Sequence, residues 1–401
     1  MISLEEAKER LFGAITPLGV ERVALLQAQN RYGAEVISSK IDLPLFDNSA
    51  MDGYAVRSED LKTASEGAPI ELKLIGRIGA GEIFNGVVSA GTCLRLFTGS
   101  VLPAGADAVV MQEDVSAENG LMRFVESVKP FENVRLSGED IRAGTPLIET
   151  GARLSATRLA LLAATGHKDA LIRKQPQVAL IATGDELTEP GDALTPGKIY
   201  ESNRTLLHAL LAPLAIRPAI NPLVRDDLET TISVLKDAFA EHDAVITTGG
   251  VSVGEFDFVK EAFNRIGGVI DHWKIAIRPG KPFVFGKLGS KLLFGLPGNP
   301  VSALVTFLVL VRPALLKMQG AEHCELPRAL GELTTEIKNP GDRRHFVRAR
   351  FEEGKVALLG RQASHMLGSI GAANCLVDVP PGTQLPRGAM VEAQLWDLPE
   401  S

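Results

Sequence analysis

Gln177-Val178-Ala179-Leu180-Ile181-Ala182-Thr183-Gly184-Asp185-Glu186 runs from an apolar stretch into a turn carrying two carboxylates. Residues 178–182 offer no polar face, so they read as a strand buried on both sides. The same pattern returns twice. Ala244-Val245-Ile246-Thr247-Thr248 leads into Gly249-Gly250-Val251-Ser252-Val253-Gly254, and Leu292-Leu293-Phe294 leads into Gly295-Leu296-Pro297-Gly298-Asn299-Pro300. Helical stretches follow around 203–211, 257–266 and from Pro300 onward. Buried strands alternating with helices predict a parallel-sheet α/β domain over residues 176–322, with right-handed crossovers. Ligands in such sheets sit beyond the carboxyl ends of the strands, where all three glycine-rich loops fall.

Outside this stretch the pattern changes. Ser3 and Glu6 have capping-box spacing, and Leu4, Ala7, Leu11 and Ile15 share one helical face. A second helix, residues 155–165, is rich in Ala and Leu and stops at Gly166. Between them, residues 42–144 hold short apolar runs (70–78, 93–97, 108–112, 121–128) broken by Gly, Pro and Asn, the signature of a β-rich insertion. The two helices then belong together, in a discontinuous helical domain of residues 1–41 and 145–175. The most apolar run, 301–311, is expected to stop at Arg312-Pro313, too short to cross a bilayer and better read as a buried helix. Beyond Gly320, alternation over 329–337, 345–351 and 356–359 predicts a barrel-like or sandwich-like C-terminal β domain, residues 323–401.

A chain of 401 residues exceeds one ordinary core, and 45% hydrophobic with 23% charged residues is a soluble, globular balance. The 42 basic and 49 acidic side chains give a charge of −7, which argues against a general nucleic-acid binder. Cys93, Cys324 and Cys375 form no CxxC pair, so neither a zinc site nor a disulfide framework is implied and a reduced, cytoplasmic setting is expected. The acidic first turn, Glu5-Glu6, is unlike a secretory leader, and no membrane partner is expected.

Glycines after a buried strand let backbone N–H groups approach an anion, and the following helix adds its positive dipole end. Gly249-Gly250 alone would read as a tight turn. Here Ser252, Gly254, Glu255 and Asp257 follow, and carboxylates beside a phosphate are unfavourable without a divalent cation between them. A phosphate loop with a Mg²⁺ carboxylate is therefore the better reading. The rigid Pro297-Gly298-Asn299-Pro300 loop, with Ser302 in the next helical turn, also favours an anion. Thr183-Gly184-Asp185-Glu186 leaves two readings open, a helix cap or a metal or ribose contact; Asp226 and Asp227 read as cap residues. Lys274 and Arg278, four apart, would share one side of a strand, and Lys281-Pro282 follows a Pro-Gly turn; three cations suit a multiply charged oxyanion. Arg344, Arg348 and Arg350 would share one period-2 face. The segment Pro44-Leu45-Phe46-Asp47-Asn48-Ser49-Ala50-Met51-Asp52-Gly53-Tyr54-Ala55 reads as a structured functional loop whose chemistry spacing does not reveal.

Taken in order, Phe46–Ala55, Thr183-Gly184-Asp185-Glu186-Leu187, Gly249–Gly254, Pro279-Gly280-Lys281-Pro282 and Gly295–Pro300 resemble the molybdopterin molybdenumtransferase family, the MoeA proteins with gephyrin and plant E-domain relatives, over nearly the whole chain. The resemblance implies Mg²⁺-dependent insertion of molybdate into adenylylated molybdopterin with release of AMP. It implies four domains and an elongated homodimer, with transient contact to the adenylyltransferase and to molybdoenzyme maturation proteins. By motif match, Asp226 and Asp257 would hold Mg²⁺ near the phosphates, with Glu186 close by. Lys274, Arg278, Lys281 and Arg348 would receive pterin phosphate and molybdate, and Asp52, Thr98 and Asp140 would come from the partner's insertion. Bacterial relatives often carry Lys where this chain has Arg278, exchanging a point charge for a forked one. Two other readings remain at this stage: an adenylyltransferase, because the α/β domain alone resembles that fold, and a gephyrin-like scaffold.

Overall fold

A computed structural model describes residues 1–250 and 258–397. Its central sheet has the strand order Ala219–Ile220, Val178–Ala182, Ala244–Thr248, Lys291–Leu296, Pro282–Leu288, Val269–Lys274. The first four are parallel. Each apolar run serves two cores at once. Ala179, Ile181, Val245 and Leu293 pack with Leu235, Phe239 and Phe263, while Leu180, Ile246 and Phe294 pack with Leu207, Leu304 and Leu308. That double burial explains the unbroken apolar stretches. The fifth strand, Pro282–Leu288, runs antiparallel to both its neighbours, a departure from an all-parallel sheet. Only Gly289 and Ser290 separate Leu288 from Lys291, too short a link for a crossover, and Gly289 takes φ +62° in the turn.

The long core helix does not stop at Arg312-Pro313. It runs from Pro300 to Met318, 19 residues, and 89% of its apolar window is buried inside the protein. A π-helical segment, Phe307–Val311, precedes Arg312–Met318. Widened bonding there, with Pro313 in the first turn of the segment after it, lets the helix continue through a residue that lacks an N–H.

The first helix, Leu4–Gly13, is capped by Ser3, whose Oγ accepts the Glu6 N–H at 3.0 Å. Leu4, Ala7 and Leu11 dock in the α/β core, not against the second helix, Ala156–Ala164. The expected pairing of the two helices is thus corrected. What joins the two ends of the discontinuous region is Val20–Ala24 paired with Asp169–Arg173, over a core of Ile37, Ile148, Leu162 and Ile172. The intervening β region forms a six-stranded sheet with its own cores, one around Leu72, Cys93 and Phe124 and one around Leu94, Leu96 and Val109.

At the C-terminal end, Arg344–Glu352, Lys355–Leu358, Arg328–Leu333, Met390–Leu395 and Cys375–Val379 pair in that order and close back on Arg344–Glu352. This is a closed barrel. Ile277–Arg278, from the α/β region, pairs in parallel with Arg344–His345 and stitches the two together.

Candidate functional site

The parallel register sets Ala182, Thr248 and Leu296 side by side, so the three loops leave the sheet at one level. They are also bonded to one another. The Gly249 N–H donates to the Leu296 carbonyl at 3.3 Å, and the Thr183 N–H donates to the Thr248 carbonyl at 3.0 Å. Gly249 has φ +84°, and a Cβ there would lie 2.4 Å from the Thr183 carbonyl oxygen. No other residue fits so close an approach. Gly250, Pro297, Gly298 and Asn299 lie in the same group of loops, and Ser302 is buried in the first turn of the core helix. Ser252, Gly254, Glu255 and Asp257 lie outside the described residues.

Acids crowd one flank. The Asp185 and Asp226 N–H groups each donate to the other residue's carboxylate at 3.3 Å, and Glu186 Oε2 lies 2.6 Å from where a Cβ on Gly184 would stand. Burial raises the Asp226 carboxyl above the usual range, and the charges of Asp185 and Glu186 raise it further. Lys198 donates to the Asp185 carbonyl and not to a carboxylate, and among the described residues no cation pairs with these acids. Oxygen-only donors carrying surplus negative charge suit a hard divalent cation. Among the described residues no three acids have metal-site geometry. Asp227, beside them, is a helix cap, its carboxylate accepting the Thr230 N–H at 2.7 Å.

Cations occupy the other flank. Lys274 ends its strand and Arg278 belongs to the next, so the two do not share one strand face as the spacing suggested. The break is imposed by Ile2, which donates to the Lys274 carbonyl at 3.0 Å and accepts the Ala276 N–H at 2.9 Å. Lys274, Arg278 and Lys281 are exposed and pair with no described carboxylate. Gly280, at φ +103°, seats their turn on the core helix, where a Cβ would stand 2.6 Å from Thr306 Cγ2. Pro282 begins the next strand.

Arg348 is fully buried without a carboxylate partner. Its Nε donates to Ser369 Oγ at 2.9 Å, and Nη2 donates to the Arg361 and Ala363 carbonyls at 3.1 and 3.3 Å; Nη1 has no partner among the described residues. Arg344 pairs with Glu5 and Asp378, and Arg350 with Glu352, so the three arginines do not converge on one anion. Two residues the sequence reading missed join Arg348. Ser369 is met only through the fold. His345 lies opposite Arg278 in the strand register, its Nε2 buried without a partner among the described residues. Burial, helped by the charges of Arg278, Arg348 and Arg343, pushes its imidazole down to about 4. Ser364 Oγ accepts from Asn299 Nδ2 at 3.4 Å, linking the loop that Arg348 holds to the third glycine-rich turn.

Asp52, Thr98 and Asp140 stand apart on the insertion. Asp52 Oδ1 accepts both the Thr98 N–H and its hydroxyl at 2.8 Å, and these bonds, with Arg95 nearby, hold its carboxyl below the usual range. Asp140 is exposed, its N–H bonded to the Leu43 carbonyl at 3.1 Å. No described hydrogen bond or core cluster joins these three to the strand-end loops of the same chain. Of the Asp47–Ala55 loop, Asn48–Ser49 pairs with Val134–Arg135, and Gly53 lies so close to the Val110 carbonyl that a Cβ would reach it at 2.1 Å. A separate cavity of about 540 Å³ among Leu4, Lys8, Leu308, Arg344, Phe346 and Asp378 contains none of the expected site residues.

Known proteins resemble this chain over nearly its whole length. The chain matches the MoeA N-terminal region (domain I and II) over residues 2–166, the Probable molybdopterin binding domain over 179–317 and the MoeA C-terminal region (domain IV) over 331–396. A molybdopterin molybdenumtransferase of Haemophilus influenzae is 39% identical over 385 residues, 94% of each chain. One from Staphylococcus epidermidis is 35% identical over 387 residues, 96% of this chain and 92% of its own. The crystal structure of a molybdopterin biosynthesis MoeA protein from Pyrococcus horikoshii superposes with a TM-score of 0.85 at 31% identity, covering 98% of this chain and all of its own.

Proposed function

The chain belongs to the MoeA family of molybdopterin molybdenumtransferases, enzymes of molybdenum cofactor biosynthesis, and from that premise we propose that it inserts molybdate into adenylylated molybdopterin with release of AMP. The observation carrying this reading is the division of charge around the strand-end loops, acids on one flank and unpaired cations on the other. The substrate joins a phosphoanhydride to a dithiolene, and the reaction needs both kinds of surface. Asp226 and Asp257 would hold Mg²⁺, which when bound offsets the charge of the phosphoanhydride and of the departing AMP. Glycine N–H groups of the loops bind the phosphates, while Arg278, Lys281, Lys274 and Arg348 hold pterin phosphate and molybdate. Water splits the P–O–P link into AMP and pterin phosphate. Two Mo–S bonds form, and the two thiol protons leave with one molybdate oxide as water. Proximity is the main contribution of this chain.

Asp52, Thr98 and Asp140 complete the site from the insertion of a second copy, in a cytoplasmic homodimer that exchanges substrate and product with the adenylyltransferase and molybdoenzyme maturation proteins. Purified enzyme given adenylylated molybdopterin, molybdate and MgCl₂ is expected to release AMP and retain molybdenum. ATP consumption with molybdopterin alone, or no AMP, overturns the reading. A mixed dimer of Asp52→Ala and Arg278→Ala chains has one intact site of two, so it regains activity; silence in both pure and mixed dimers rejects the shared site.

A further inference from the structure

We propose that Asn203 is a positioning residue for this transfer: its side-chain amide sets the place of the Pro297-Gly298-Asn299 turn over the glycine loop. The inference rests on the reaction proposed above. Asn203 is the first residue of the helix Asn203–Leu211, beside the cap position that Asn side chains often serve. It does not cap here. Ser202 stands at the cap position without a side-chain bond, and the Arg204 N–H is received instead by Glu201 Oε1 at 2.9 Å. The Asn203 amide turns away from its own helix, and Nδ2 donates to the Gly298 carbonyl at 2.8 Å, 95 residues along the chain.

That single bond reaches the turn that lies in contact with the tightly packed Gly249. A Cβ on Gly298 would lie 3.8 Å from the Gly249 Cα, and Gly249 is itself bonded to Leu296 and pressed against Thr183. The helix Asn203–Leu211, fixed in the core by Leu207 and Leu211, therefore transmits its position through Asn203 to two of the three loops. The other end of the amide argues for function over stability. Asn203 is 7% exposed, and with Nδ2 committed its Oδ1 is left buried without a partner among the described residues. A buried acceptor with no donor destabilises the fold, and such conflicts collect at functional sites.

The experiment compares full-length wild type, Asn203→Ala and Asn203→Asp for thermal midpoint and for steady-state AMP release from adenylylated molybdopterin. Asp keeps the size and an acceptor but has no N–H for Gly298. Both variants are expected to raise KM about tenfold, the effect of one hydrogen bond, with kcat within about threefold; the midpoint changes little in Asn203→Ala and falls in Asn203→Asp, which buries a charge against the Gly298 carbonyl. A purely structural role lowers the midpoint and the active fraction yet leaves KM alone, and that result overturns the proposal. Asn203→Gln, which keeps both amide groups on a longer arm, is expected to shift KM too and covers the case in which neither shorter variant folds; an unchanged KM rejects the role. Wild type that releases no AMP fails the underlying reaction, and the role of Asn203 with it; wild type that turns over beside variants of unchanged KM fails Asn203 alone.

Discussion

On one flank of the strand-end loops, Asp185, Glu186 and Asp226 crowd together, and the carboxylates of Asp185 and Asp226 each accept the other's backbone N–H. On the other, Arg278, His345 and Arg348 gather, and among the described residues no carboxylate pairs with them, while Arg343 beside them reaches only the exposed Asp342 at 3.9 Å. Elsewhere the chain balances its charges. Arg204 is buried between Glu201 and Glu189, and Arg344 lies between Glu5 and Asp378. Matched networks hold domains together, whereas each mismatched flank weakens the fold and gains from a ligand of opposite sign. The contrast separates residues kept for structure from residues kept for binding.

The largest effect should come from Arg348→Met. Removing a fully buried guanidinium leaves the Arg361 and Ala363 carbonyls and Ser369 without their donor, yet it also relieves an unpaired buried charge. Stability should therefore move little while kcat/KM for AMP release falls about 10²–10³-fold, the usual scale for losing a preorganised charge in a site. A variant that unfolds but keeps its specific activity would make Arg348 a structural residue. Next is Gly280→Ala. A Cβ at φ +103° meets Thr306 Cγ2 at 2.6 Å, so the cation turn must shift. We expect about 2–3 kcal/mol of lost stability, read from urea denaturation, with weaker molybdate binding.

These residues were unequally visible in the sequence. The strand-loop-helix grammar placed the three glycine loops, because double burial leaves an unbroken apolar run that one line of text displays. Alternation past Gly320 likewise displayed the C-terminal barrel, but the stitch from Ile277–Arg278 into it was not visible, since pairing between residues 277 and 344 has no local signature. For the same reason Lys274 and Arg278 read as one strand: the interruption comes from Ile2, at the far end of the chain. Arg312-Pro313 read as a stop because the π segment that tolerates it leaves no sequence mark. The first helix joined the wrong core on paper, since an amphipathic stripe says that a face is buried but not against what. Ser369 and Asn203 are single polar residues whose meaning lies wholly in their partners.

A smaller effect should appear at His345. Its folded value of about 4 lies below the ordinary 6.5, so the fold favours the neutral ring. The stability it contributes is complete above pH 6.5 and is lost as pH falls from there through 4. Urea midpoints should show about 2 kcal/mol lost across that window, and His345→Leu should flatten the slope. An equal slope in both proteins would remove His345 from the cation flank.

The smallest effect tests the acid flank. Asp226 is raised by burial and then by Asp185 and Glu186, so the folded chain holds this proton more tightly than the unfolded one. Stability is therefore greatest below the ordinary 3.8 and falls as pH rises through the raised value, leaving the penalty in full at neutral pH. Asp226→Asn keeps an acceptor for the Asp185 N–H and removes the charge, so its thermal midpoint at pH 7 should rise by about 1–2 °C. Adding MgCl₂ supplies the same relief to wild type by another route. If this flank holds a divalent cation, the metal raises the wild-type midpoint more than the variant's, and the gap between the two proteins narrows. If both respond equally, the surplus negative charge serves something other than a metal, and the two flanks are not the complementary halves of one site.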